Sequence, residues 1–246
     1  MGDAVMSHTY SRLNERLWNE IRPVEITPDF ITSAPGSCLI ACGQTRVICT
    51  ASVEDKVPPF LENAGLGWLT AEYSMLPASA SGRMTREKVA GSGRTYEIQR
   101  LIGRSLRAAI DRKLLGLRTI TIDCDVIQAD GGTRTASVTG GYVALALAIK
   151  KLMANGVLKE NPIIHQVSAI SLGIVAGELL LDLNFVEDSS ADIDANLVAT
   201  PDGNIIEWQT TAERNLLPMA QLSEMVELGM SGIRMLSELQ KKAIGE

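Results

Sequence analysis

The chain has 246 residues, and 29 Asp and Glu against 23 Lys and Arg leave a net charge of −6, which excludes a uniformly basic nucleic-acid binder. Hydrophobic residues at 46% and charged residues at 21% are an ordinary globular balance and exclude a disordered chain or a coiled coil. The longest apolar runs, residues 120–127 and 144–149, fall well below the ~18 apolar residues of a membrane span. A soluble protein with no membrane partner is expected, and residues 1–16 hold no apolar block of a secretory signal, so the expected location is cytoplasmic.

In chain order, period-2 stretches predict strands at 37–41 and 45–52. A Ser-, Gly- and Ala-rich loop over 78–93 follows, carrying Arg83, Arg86 and Lys88. Helical spacing then predicts a helix over 95–111, a strand over 118–128 and a helix over 136–155 ended by Gly156. Strands over 167–175, 179–186, 195–199 and 205–208 precede a C-terminal helix over 219–242, where Met225, Met230, Ile233 and Leu236 mark a buried stripe. The class is α/β or α+β, a single unit over 1–246 with two similarly ordered halves, about 1–155 and 156–246. Four cysteines (Cys38, Cys42, Cys49, Cys124) lie in apolar strands without zinc-ligand spacing and read as buried free thiols.

Three segments carry residues suited to chemistry. Ala129-Asp130-Gly131-Gly132-Thr133-Arg134-Thr135 leaves a strand and opens a helix, so free N–H groups, a hydroxyl and a forked cation meet where an anion would sit. The same residues also fit a plain turn with Thr135 or Ser137 as cap and Arg134 in solvent. Arg94 follows Gly91-Ser92-Gly93 at a helix start, and Arg100, Arg104 and Arg107 continue along one face, either solvated or tracking a polyanion. In residues 181–188, strand alternation puts Asp182 and Asn184 on one face with Asp188 folding back, a carboxylate group suited to Mg²⁺ or an edge guarded by charge. Together the three favour phosphoryl transfer. No GxxxxGK[ST], GxSxG or HExxH is present, and His8 and His165 sit in contexts that give no general base.

Several long motifs resemble the bacterial ribonuclease PH family: residues 51–61, Gly67-Trp68-Leu69-Thr70-Ala71-Glu72-Tyr73, the run from Ser92 to Arg107, and residues 122–135, within a likeness extending from about Arg22 to the C-terminal helix. The resemblance implies an α+β ribosomal-protein-S5-domain-2-like fold, with mixed sheets packed against long helices. It implies a phosphate-dependent 3′-to-5′ exoribonuclease and nucleotidyltransferase that trims transfer-RNA precursors and releases nucleoside diphosphates. It also implies a homohexameric ring built as a trimer of dimers. By motif, Arg94, Thr133 and Arg134 would hold inorganic phosphate, while Asp182 and Asp188 would be catalytic and hold Mg²⁺. Arg83, Arg86, Arg100, Arg104 and Arg107 would lie along the RNA. The chain departs from the family at Asn14-Glu15, Glu62, Leu66, Ala78 and Thr210-Thr211, several of which replace cations on surfaces that in the family face RNA or support ring assembly. Two other readings remain at this level: a non-enzymatic RNA-binding ring subunit, and a hydrolytic metal-dependent nuclease.

Overall fold

The computed structural model describes residues 10–12, 15–86 and 92–246. In its first half, β-branched and apolar alternation produces β1 (Val24–Pro28), β2 (Gly36–Cys42), β3 (Thr45–Glu54), β4 (Trp68–Met75) and β5 (Thr119–Gln128). They form one sheet in the order β1-β2-β3-β5-β4, antiparallel throughout except for the parallel pair β4 and β5. Val47, Cys49, Ile120, Ile122 and Cys124 point inward and are fully or almost fully buried.

That inner face is covered by α1 (Gly93–Arg107) and α3 (Thr133–Ala154), with the single-turn α2 (Arg112–Leu115) between them. Ser92 caps α1 by accepting the Thr95 N–H at 3.1 Å, and Ile98, Leu101 and Ile102 are its buried stripe. Helix α3 is apolar on nearly all sides because it is sandwiched, with β2, β3 and β5 on one side and β6 (Ser168–Val175) on the other. It is also long and apolar enough by composition to cross a membrane, but 72% of its most apolar window is buried within the fold, as in a core helix.

Close approach of α3 to the sheet depends on Gly36, where a Cβ would run into the Ala144 carbonyl oxygen and the Ala148 N–H of the helix backbone. Backbone cannot rotate away as a side-chain tip can. We therefore expect Gly36→Ala to destabilise the protein by about 3 kcal/mol or more, read as a lowered urea midpoint at unchanged m-value. A midpoint equal to the parent's would show that α3 can move off the sheet at little cost.

The second half repeats the pattern. β6, β7 (Glu178–Leu181), β8 (Ile193–Ala199) and β9 (Ile205–Ala212) form an antiparallel sheet in the order β7-β6-β8-β9. The six-residue α4 (Phe185–Ser190) follows β7, and α5 (Met219–Ile244) covers the sheet. Met225, Ile233 and Leu236 of α5 join Ile170, Leu172 and Leu197 in a second core, so the methionines of the expected stripe are packing residues.

Four expectations are corrected. Residues 179–186 are not one strand: β7 stops at Leu181, Asp182 turns with φ 54°, and Phe185 begins α4. Helix α3 starts at Thr133, three residues early, with Gly132 as an N-cap that makes no side-chain bond, so neither Thr135 nor Ser137 caps it. The helix expected over 95–111 ends at Arg107. Strands β1 and β4 were not foreseen. The cysteines are free and buried, and Cys38, Cys49 and Cys124 are register neighbours across three strands. Burial pushes the Cys42 thiol up to about 12, so it stays protonated and unreactive.

Candidate active site

The turn after β5 and the turn after β7 come together at the seam between the two halves. Gly131 (φ 77°) packs so tightly there that a Cβ would lie 2.6 Å from the Asn184 carbonyl carbon and 2.8 Å from the Phe185 nitrogen. This contact sets the start of α3 against the start of α4. Beside it opens a cleft of about 890 Å³, lined by Arg94, Thr133 and Arg134 from the first half and by Asp188, Asp194, Asn196 and Gln209 from the second.

The three residues expected to hold phosphate, Arg94, Thr133 and Arg134, all line the cleft. The first N–H groups of the 22-residue α3 have no side-chain cap, and Thr133 and Arg134 are its first two residues. Buried Tyr73 donates its hydroxyl to Thr133 Oγ1 at 2.9 Å, which leaves the Thr133 proton free to be donated to an anion. Burial pushes the Tyr73 phenol up, so it remains a donor across the neutral range. Arg134 Nη1 donates to Gln209 Oε1 at 2.8 Å and to Glu97 Oε1 at 3.4 Å.

In the second half of the chain the structure separates the two expected acids. Asp182 is not in the cleft. It is 7% exposed and clamped by Arg22: Oδ2 accepts the Arg22 backbone N–H at 2.7 Å and Nε at 3.0 Å, and Oδ1 accepts Nη2 at 2.7 Å. Arg16 adds a further cation at 3.5 Å. Burial alone would raise the Asp182 carboxyl, but the Arg22 hydrogen bonds and charge outweigh it and hold the group below its ordinary value. With both oxygens accepting from Arg22, Asp182 anchors the turn after β7 to the first half of the chain. Arg22 also donates to the carbonyls of Asp130 and Gly131, tying the Asp182 turn to the phosphate turn. Arg12 makes a two-pronged pair with buried Glu187, both bonds at 2.8 Å, and Glu187 completes a capping box with Asn184 at the start of α4.

This clamp has a pH signature. Because the folded carboxyl of Asp182 lies below its ordinary 3.8, its contribution to stability is complete above that value and is lost as pH falls through the lowered folded value. Thermal melts should therefore show stability dropping below about pH 4, with a shallower acid slope for Asp182→Asn. Equal acid slopes would remove Asp182 from this role.

Asp188 does reach the cleft, and its partner there is Asp194 of β8, which sequence reasoning missed. Partial desolvation at the cleft wall raises the Asp188 carboxyl although the residue keeps contact with solvent, and the nearby charges of Arg134, Arg94 and Arg22 only partly oppose it. Asp194 is raised by burial and then by the negative charges of Asp188 and Glu213. The available signal was Asp192-Ile193-Asp194 at the head of a strand, where alternation puts both acids on the face opposite Ile193.

The expected arginine track is largely spent on structure. Arg104 makes a forked pair with Glu207 of β9, and Arg107 donates to the Leu69 carbonyl while lying 4.7 Å above the Trp68 ring. Arg100 stays exposed on α1, and Arg83 and Arg86 are exposed beside cleft residues Ser81 and Met84. Lys88 and Gly91 of the same loop lie outside the described residues, as do His8 and Asn14.

Two arginines and a helix N-terminus sharing one cleft with carboxylates that, among the described residues, have no ion-pair partner define a class of enzyme that moves phosphoryl groups. Comparison with known proteins narrows the class. Residues 20–150 match the model of the 3′ exoribonuclease family, domain 1, and residues 165–232 match that of domain 2. Ribonuclease PH of Neisseria meningitidis serogroup C is 54% identical over 237 residues, covering 96% of this chain and 98% of its own length. Ribonuclease PH of Bacillus pumilus is 54% identical over 238 residues, with the same coverage. Among solved structures, an Archaeoglobus fulgidus exosome with RNA bound to the active site superposes with a TM-score of 0.80 at 22% identity, covering 93% of this chain and 92% of that one. Rice Rrp46 gives 0.77 at 20% identity, covering 95% and 100%. The chain belongs to the 3′ exoribonuclease family and has its α+β fold, as the motifs led us to expect.

Proposed function

We propose that this protein is a phosphate-dependent 3′-to-5′ exoribonuclease. One observation carries the reading. Arg94, Thr133 and Arg134 share a single cleft with Asp188 and Asp194, so an attacking phosphate and the scissile phosphodiester can be held side by side. An oxygen of inorganic phosphate attacks the phosphorus of the last phosphodiester. The bond to the penultimate 3′-oxygen breaks, that oxygen takes up a proton, and a nucleoside diphosphate leaves. Arg94 and Arg134 offset the charge of the incoming phosphate, and the Thr133 hydroxyl and the α3 N-terminus orient it. No protein nucleophile is needed.

Asp188 and Asp194 line the same cleft, and their chemistry suits Mg²⁺, which takes one or two carboxylates together with waters and phosphate oxygens. When bound, the ion would neutralise charge developing on the nonbridging and leaving oxygens. Exposed Arg83, Arg86 and Arg100 are placed to meet the RNA backbone outside the cleft. By kinship, the substrates are transfer-RNA precursors, the assembly is a homohexameric ring and the setting is the cytoplasm. The scaffold-only alternative has no use for the paired carboxylates in the cleft with the phosphate residues.

The test is incubation with a 3′-labelled short RNA and Mg²⁺, with and without inorganic phosphate. Nucleoside diphosphates released only with phosphate are expected. Monophosphates released regardless of phosphate would overturn phosphorolysis in favour of hydrolysis.

A further inference from the structure

Arg134 of the phosphate wall is tied to residues of both halves of the molecule, and the tie is a closed cycle. Its Nη1 donates to Gln209 Oε1 at 2.8 Å and to Glu97 Oε1 at 3.4 Å, while Gln209 Nε2 donates to the same Glu97 oxygen at 3.0 Å. The cycle fixes the Gln209 amide. Flipping it would set Nε2 against the guanidinium N–H and Oε1 against the carboxylate, losing both bonds. Among the described residues only Nη1 is used, so Nε and Nη2 are available to an anion in the cleft that Arg134 lines.

We infer that Glu97 and Gln209 are positioning residues of the phosphorolytic site, holding the Arg134 guanidinium in the plane and at the place where it receives phosphate; this rests on the function proposed above. Two arguments support the assignment. First, a carboxylate beside a phosphate-binding arginine is electrostatically unfavourable for the phosphate, since it offsets part of the cation. Its presence is explained if it contributes orientation. Arginine offers a rigid planar fork, and two acceptors on one nitrogen restrict how the fork turns. Second, Gln209 is in register with Asn196, which is in register with Ser171, so the three share a cross-strand row on the cleft face of the second sheet. Asp194 lies in the next row of that face, paired with Thr211. Residues in adjacent rows of adjacent strands are about 7–8 Å apart and rigidly related. Arg134, on a helix of the first half, is therefore tethered to the strand neighbouring the one that carries Asp194. The clamp sets the separation between bound phosphate and the carboxylates.

The sign of one substitution separates positioning from charge. Under positioning, Glu97→Ala raises the KM for phosphate by between about tenfold and 100-fold and lowers kcat, because Arg134 is released. Glu97→Gln, which keeps an oxygen that accepts both bonds, stays within about threefold of the parent. If Glu97 were only a repelling charge, both variants would lower the KM for phosphate. Gln209→Ala is expected to resemble Glu97→Ala. The Glu97 side chain is 43% exposed, so its replacement leaves the fold intact.

Phosphate affinity is read a second way, without turnover, from the rise in Tm with added inorganic phosphate, which should shrink in both alanine variants and persist in Glu97→Gln. That second readout keeps the two readings apart. A parent that releases monophosphates would overturn the proposed function, while the phosphate-dependent Tm would still report on the clamp. Unchanged phosphate KM and unchanged Tm response in Gln209→Ala and Glu97→Ala would overturn the inference itself.

Discussion

Replacing Asp188 or Asp194 with Asn is expected to lower phosphorolytic turnover by about 10²–10³-fold or more while leaving the fold in place. Both carboxyls are raised above their ordinary values, Asp188 by partial desolvation and Asp194 by burial and by the charge of Asp188. A raised carboxyl means that ionisation at neutral pH works against the folded state, so neutral Asn should leave Tm equal or slightly higher. Loss of activity without loss of stability is the signature of groups kept for chemistry. Measuring kcat and Tm on the same preparations checks it, and a variant that keeps the parent's kcat would take that carboxylate out of the mechanism.

Asp182→Ala should do the opposite. Removing it leaves Arg22 buried at 5% exposure without its partner and Arg16 without one of its acidic neighbours. Breaking a buried pair on one side costs about 3–5 kcal/mol. A denaturant midpoint lowered by that amount is expected. Activity per folded molecule should fall less than in Asp188→Asn, because Asp182 supports the seam from below and does not touch the cleft. If Asp182→Asn kept its stability and lost turnover, the clamp reading would fail and a metal-ligand role for Asp182 would return. The two acids, six residues apart, thus have separable phenotypes.

Glu62 and Ala78, where the family resemblance implies cations, bear on RNA rather than on this chemistry. Both residues are exposed and neither lines the cleft. Adding positive charge there, as in Glu62→Arg with Ala78→Arg, should tighten RNA binding and steepen its salt dependence by about two phosphate contacts, with the phosphate KM unchanged. Fluorescence anisotropy with a labelled RNA across a salt series would show it, and parallel salt slopes would argue that these positions do not face RNA.

What the sequence determined by itself was local. Alternation placed β2, β3, β5 and β6 because each has a face that must be buried, and three- and four-residue spacing placed α1, α3 and α5 for the same reason. The Gly131-Gly132-Thr133-Arg134 turn could be read as an anion cradle because glycines, a helix start and an arginine are neighbours along the chain. Arg94 was legible in the same way, and the long motifs identified the family. The sequence failed where burial on both sides or pairing at long range decides. Asp182, in a segment that reads as one strand, and Asp188, just past its end, look like one group of acids, yet a left-handed turn at Asp182 and the buried arginines 160 or more residues earlier in the chain turn one inward and leave the other in the cleft. Asp194 joins the site only because β8 lies next to β6, and Glu97 and Gln209 meet only because α1 and β9 border the same cleft. Arg104 and Arg107, one face of a helix in sequence, were assigned to structure by Glu207 and Trp68 from distant strands. Spacing along the chain fixes which residues share an element, but a charge acquires its role from its partners, and the tertiary structure chooses those.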